Sequence, residues 1–171
     1  WANQFGLPGM IMMYDGAKWT YIPIDSIKSR PTEPVYDFLN VAVDPKDANH
    51  YFVSSYGTGL YEFVDKKCVA HIISSSDNTM GSAVKRVDSL YTRIDKATFD
   101  SVGNLWILNA GSVPYPIVCL DTNNTWHGLP IFINNERRNL VTPSGFVIDT
   151  FHPNYKWIAN ARVQVEIILI D

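Results

Sequence analysis

Apolar positions in this chain come in short bursts separated by turn-forming residues. Ile11-Met12-Met13-Tyr14, Val41-Ala42-Val43, Tyr51-Phe52-Val53 and Ile167-Ile168-Leu169-Ile170 are apolar or β-branched runs bounded by Gly, Pro, Asn and Asp. That alternation of bursts and breakers is the pattern of β-strands. No stretch sustains an apolar period of about 3.6 residues, so long helices are not expected. Asp15-Gly16 and Gly57-Thr58-Gly59 sit between runs and predict tight hairpins, because glycine reaches positive φ without steric cost.

The bursts recur as a phrase. Trp106-Ile107-Leu108-Asn109-Ala110 returns as Trp157-Ile158-Ala159-Asn160-Ala161, and Trp1-Ala2-Asn3 is a shortened copy. Tyr51-Phe52-Val53-Ser54-Ser55 is a degenerate one. Each copy leads to an apolar run closed by an aspartate, and Asp15, Asp65, Asp121 and Asp171 step by 50, 56 and 50 residues. A period of about fifty residues built of short strands predicts a repeat architecture.

Overlaying the copies yields a unit of four strands. An inner strand (Phe38 to Val43, Ile94 to Phe99, Phe146 to Ile148) precedes the Trp strand. The strand ending in aspartate follows. A fourth strand closes the unit: Trp19 to Ile24, Cys68 to Ile73 and Trp126 to Ile131. This is the grammar of a β-propeller blade. The predicted fold is all-β: residues 1–171 form one partial propeller, an arc of about three and a half four-stranded blades, where closed rings use about 4–8. The remaining blades are expected from the parent chain or another fragment.

Composition narrows the picture modestly. A net charge of −3 over 171 residues gives no reason to expect nucleic acid as a partner. No apolar run approaches the ~18 residues of a membrane helix. Trp1 lies inside a strand pattern, so a preceding segment is expected to have been removed. Cys119 falls in a strand run, at the register of Met13, Phe63 and Leu169, and is expected to be a buried thiol. Cys68 falls elsewhere in its repeat and has no evident reason to meet it.

The segment Phe99-Asp100-Ser101-Val102-Gly103-Asn104-Leu105-Trp106-Ile107 resembles the two-component regulator propeller repeat, roughly D-x-x-G-N-L-W-I-G-T, and departs from it at Leu108-Asn109. The run from Val41 to Phe63 is similar to the propellers of PorZ-like proteins of Bacteroidetes, with their D-P-x-x-x-N-x-x-F-V-x-S-x-G-x-G-L-x-E-F phrase. The resemblance covers most of residues 35–131. It implies an extracytoplasmic place, in the periplasm or on the cell surface, and sensing or scaffolding rather than catalysis. PorZ-like proteins are associated with the type IX secretion attachment complex and a surface lipopolysaccharide. Related propellers are periplasmic glycan sensors of two-component systems.

Candidate chemistry is sparse. Trp1, Trp106 and Trp157 recur at one blade position, as do Trp19 and Trp126, which predicts packing between blades rather than sugar stacking. The four closing aspartates stand alone, without calcium-loop spacing, and are expected to cap turns. His50, His71, His127 and His152 occupy non-equivalent positions, and no H-E-x-x-H, C-x-x-C or G-x-S-x-G occurs. No catalytic residue, metal site or cofactor is implied. An axial enzyme of lyase or glycosidase type would need Asp37, Asp95 and Asp149 to converge. A purely structural interaction platform is the third reading. Binding is expected from segments that do not repeat, Ser74 to Thr92 and Asn134 to Thr142, with Tyr56, Arg86, Tyr115, Arg137 and Arg138 as candidates. Their guanidinium groups suit an acidic glycan or lipopolysaccharide, and a protein partner is the alternative.

Overall fold

The computed structural model describes residues 6, 8–23, 27, 35–74, 79–80, 90–112, 115–161 and 166–170. Trp1, Arg86 and Asp171 lie outside them. Among the described residues every regular element is a strand. Strands β1 (Ile11–Tyr14) and β2 (Trp19–Ile22) form sheet I. Sheet II is the four-stranded meander β3 (Phe38–Asp44), β4 (Asp47–Ser55), β5 (Leu60–Val64) and β6 (Lys67–Ile72). Sheet III repeats it with β7 (Ile94–Phe99), β8 (Leu105–Asn109), β9 (Ile117–Leu120) and β10 (Trp126–Leu129). A hairpin, β11 (Ile131–Ile133) with β12 (Glu136–Arg138), precedes sheet IV, made of β13 (Pro143–Ile148), β14 (Lys156–Asn160) and β15 (Glu166–Ile170). The first strands β3, β7 and β13 line one cavity of about 480 Å³. Asn40 Oδ1 accepts the Ala97 N–H at 2.8 Å, tying β3 to β7.

Because side chains alternate along a strand, sheets II and III each bury two faces. Sheet II turns Tyr51, Val53, Tyr61 and Phe63 towards Ile11 and Ile22 of sheet I. It turns Ala42, Phe52 and Leu60 towards Ala97, Leu105, Ile107 and Val118 of sheet III. Sheet III gives Leu108 and Ile117 to a third core with Leu140, Ile158 and Ile168. Sheets I, II and III therefore each pack a forward face on the backward face of the next.

The repeated phrase now has a physical reading. The asparagine closing the Trp strand fastens the chain entering the inner strand: Asn109 Nδ2 donates to Arg93 O at 3.1 Å, and Asn160 Oδ1 accepts from Thr142 N at 3.2 Å. Ser55 stands at the same ladder position and donates to Tyr36 O at 2.8 Å. A second aspartate series, Asp44, Asp100 and Asp149, closes the turn between inner and Trp strands. Asp100 Oδ1 accepts from the N–H groups of Val102, Gly103 and Asn104 at 3.0, 2.8 and 2.8 Å.

Five expectations are corrected. Proline has no N–H for a ladder, and at Pro130 the single strand expected from Trp126 to Ile131 breaks into β10 and β11. The segment Asn134 to Thr142 is accordingly not a plain loop, since its start turns the β11–β12 hairpin. Asp15 and Asp121 cap their turns, each accepting two backbone N–H groups, but Asp65 does not follow them. It sits with Lys66 inside a two-residue turn, both at positive φ (49° and 67°). That tight turn displaces the register: Cys119 pairs with Trp106, whereas Phe63 pairs with Tyr51, so Glu62 is the counterpart of Cys119. Cys119 is nonetheless buried, as expected, and Cys68 is half-buried. The tryptophans are less buried than predicted. Trp106 and Trp126 are half-buried, Trp19 is exposed and Trp157 is 39% exposed.

Candidate functional site

At the end of the sheets where β4 leads into β5, Arg93 is the central residue. Its Nε reaches Asp95 Oδ1 at 2.6 Å, its Nη2 reaches Asp95 Oδ2, and its Nη1 donates to Val141 O at 2.9 Å. The guanidinium lies 4.2 Å from the Tyr56 ring centroid. One side chain thus joins sheet II, sheet III and the approach to sheet IV. Burial raises the Asp95 pKa above its ordinary value despite the adjacent guanidinium. The tyrosines here are packed as well. Burial, with Tyr56 and Tyr36 nearby, pushes Tyr91 up to about 12. Its ring lies against Gly57, where a Cβ would come within 2.5 Å of Cε2.

The candidates fall into separate settings. Tyr56 is half-buried under Arg93. Tyr115 lies on the backbone of Gly128, where a Cβ would meet its ring at 2.4 Å, and packs on the core between sheets II and III. Arg137 and Arg138 belong to β12. Arg137 is exposed and covers its cross-strand partner Phe132 at 5.6 Å, and Arg138 pairs with Glu136 at 3.3 Å. Arg86 lies outside the described residues.

The carboxylates considered for an axial site are likewise dispersed. Asp37 Oδ2 accepts the Gly6 N–H at 2.9 Å. Asp95 is held by Arg93. Asp149 caps the turn at the opposite end of its sheet through Phe151 and His152 N–H, at 2.8 and 3.0 Å.

Sequence reasoning missed a seam at that opposite end. His50 Nδ1 lies 3.0 Å from Asp44 Oδ2 and its Nε2 lies 2.9 Å from Glu62 Oε1. A neutral imidazole donates from one nitrogen only, so two carboxylate partners select the charged ring. Burial opposes that charge, yet the bonds to Asp44 and Glu62 outweigh it and raise the His50 pKa. The ring meets Phe52 edge-on, at 5.2 Å, above a groove of about 200 Å³ between sheets II and III. The available signal was strand alternation, which places His50 and Glu62 on one face of neighbouring strands.

Antiparallel four-stranded sheets whose first strands share a central channel, each packing forward on the next, define a β-propeller arc. No protein-family profile matches the chain. No curated protein matches it by sequence. Among solved structures it superimposes on PorZ of Porphyromonas gingivalis, described as an essential bacterial surface component of the type-IX secretion system, with a TM-score of 0.76 at 24% identity. The match covers 96% of this chain and 23% of PorZ, so the chain spans about a quarter of that protein's length. Its fold is that of a PorZ-like propeller.

Proposed function

We propose that this chain is a non-enzymatic binding module of an extracytoplasmic, PorZ-like propeller, acting in the periplasm or at the cell surface. The observation that carries the reading is the employment of its ionisable side chains. Asp15, Asp44, Asp100, Asp121 and Asp149 hold turns, Asp95 neutralises Arg93, and His50 is clamped in a seam. These groups serve the scaffold. The hairpin β11–β12 is different: it interrupts the repeat and displays Phe132 and Arg137 together on its surface. An aromatic face beside a guanidinium suits a sugar ring bearing a carboxylate or phosphate, so an acidic surface glycan or lipopolysaccharide is the ligand class. The test is titration of purified lipopolysaccharide and of neutral and acidic glycans against wild type and an Arg137→Ala, Arg138→Ala variant. Binding of the acidic ligands that falls at least tenfold in the folded variant supports the reading. Unchanged binding, or none, leaves a platform for protein partners as the better description.

A further inference from the structure

The channel shared by the inner strands holds a cation that the scaffold does not use. Lys96 and Thr98 stand on β7, opposite Leu108 and Trp106, and so lie on the face of sheet III turned to sheet IV. Ala97 between them belongs to the core shared with sheet II. Lys96 and Thr98 line the cavity of about 480 Å³, together with Asn40 and Val43 of β3 and Ser144 and Phe146 of β13. Sheet III has a neighbour on either side, so this is the setting of an interior blade. Inner strands face the axis in an open arc and in a closed ring alike. Lys96 is the only charged side chain of the lining among the described residues. The other polar side chains there are Asn40, Thr98 and Ser144. Asn40 accepts the Ala97 N–H, and Ser144 donates to Ala159 O at 3.3 Å. Lys96 and Thr98 make no side-chain hydrogen bond among the described residues. Asp95, next along the strand, gives both carboxylate oxygens to Arg93 and lies outside the lining.

We propose that this channel is an anion site, with Lys96 as its charge and a small organic acid, one carboxylate on an apolar body, as its ligand. An ammonium without a counter-ion, among walls of low polarity, draws a negative charge more strongly than one in open water. One ammonium offsets one charge. That suits a carboxylate and leaves a phosphate monoester, at about −1.5 to −2, incompletely matched. The Thr98 hydroxyl, two residues on along the same face, offers a donor to the second carboxylate oxygen. Val43, Phe99 and Phe146 supply apolar surface for the body of the ligand. The cavity falls within the roughly 300–1,000 Å³ of small-ligand sites. The site uses neither Phe132 nor Arg137, so it is independent of the glycan reading.

The test is isothermal titration of hexanoate, and of its neutral counterpart hexanamide, into the intact protein. Hexanoate is expected to bind, and hexanamide about tenfold more weakly or not at all. Lys96→Met keeps the side-chain length and removes the charge. Because Lys96 makes no hydrogen bond in the fold, the variant should melt with wild type while its hexanoate affinity falls about tenfold or more. Lys96→Arg restores the charge and should restore binding. Arg137→Ala, Arg138→Ala should bind hexanoate as wild type does, which separates this site from the hairpin. Spectra of wild type labelled with ¹³Cε-lysine give a readout free of any variant: the Lys96 resonance should move on adding hexanoate. Absence of hexanoate binding overturns the proposal. So does equal binding of the amide, unchanged affinity in Lys96→Met, an unmoved Lys96 resonance, or binding lost with the hairpin arginines.

Discussion

Trp106 Nε1 donates to Asp100 Oδ2 at 2.9 Å, and the same bond joins Trp157 to Asp149 at 3.2 Å in the next blade. The repeated tryptophan is thus a latch as well as a space-filler. It fastens the Trp strand to the turn that delivers it, and the aspartate uses its other oxygen for the backbone of that turn. Lys156 of sheet IV adds a cation 4.4 Å from the Trp106 ring centroid. The residue pair explains why tryptophan and aspartate recur together.

Asp100→Ala removes three backbone acceptor contacts, a bond from Asn104 Nδ2 and the indole bond. Denaturant unfolding should show a loss of about 2–3 kcal/mol, and Trp106→Phe, which spares the ring packing, about 1 kcal/mol. Burial works against ionisation of Asp100, but the bonds from Trp106 and Asn104 win and hold its pKa below the usual carboxylate range. Its stabilisation is therefore complete above the unfolded pKa of about 3.9 and is lost as pH falls through the lower folded value. The variant should show a flatter loss of stability in acid than wild type.

The His50 clamp gives the opposite pH dependence. A raised folded pKa means stabilisation that is complete below the unfolded value of about 6.5 and is lost as pH rises through the folded pKa. An NMR titration of the imidazole should place its midpoint above that value. Glu62→Gln, which removes one carboxylate charge, should bring it down. An unmoved midpoint would show that Glu62 does not hold the proton.

Cys119 is buried and unreactive by environment: burial, with Asp100 and Asp121 adding, pushes its thiol up to about 11. Iodoacetamide at neutral pH should label Cys68 in the folded protein and reach Cys119 only in denaturant. Mass spectrometry of the two peptides reads this directly.

Gly59 has a φ of 87°, and a Cβ there would stand 2.3 Å from the carbonyl oxygen of Ile72. Gly59→Ala should cost roughly 2–4 kcal/mol, since left-handed strain and a backbone collision act together. Gly16→Ala has a positive φ but open space around it, and should cost only about 1 kcal/mol. Comparing the two melting curves separates collision from strain.

Much of this arc was legible in the sequence, because alternating burial leaves a period of two that turn residues punctuate. Ile94 to Phe99 was placed at its observed bounds, and the inner strand of sheet II nearly so. What escaped depended on neighbours and turns. Trp157 reads like Trp106, but its exposure is set by what packs on sheet IV. Glu62 could not be aligned with Cys119, because counting from Asp65 assumes a turn like that of Asp121. Tyr115 reads as a loop tyrosine, and only the missing side chain of Gly128, on another strand, shows that its ring is seated. The seam of Asp44, His50 and Glu62 lies on three strands, so no short motif marks it.

The short turn at Asp65 and Lys66 shows where this repeat absorbs changes in length. Sheet II makes the connection in two residues where sheet III uses a longer Asp121-to-Thr125 bend, yet both keep their packed faces in step. Hairpin tips on that rim are thus uncoupled from the blade interior. An epitope or fluorophore loop grafted between Asp65 and Lys66 would report on the chain in cells without touching either end of the arc.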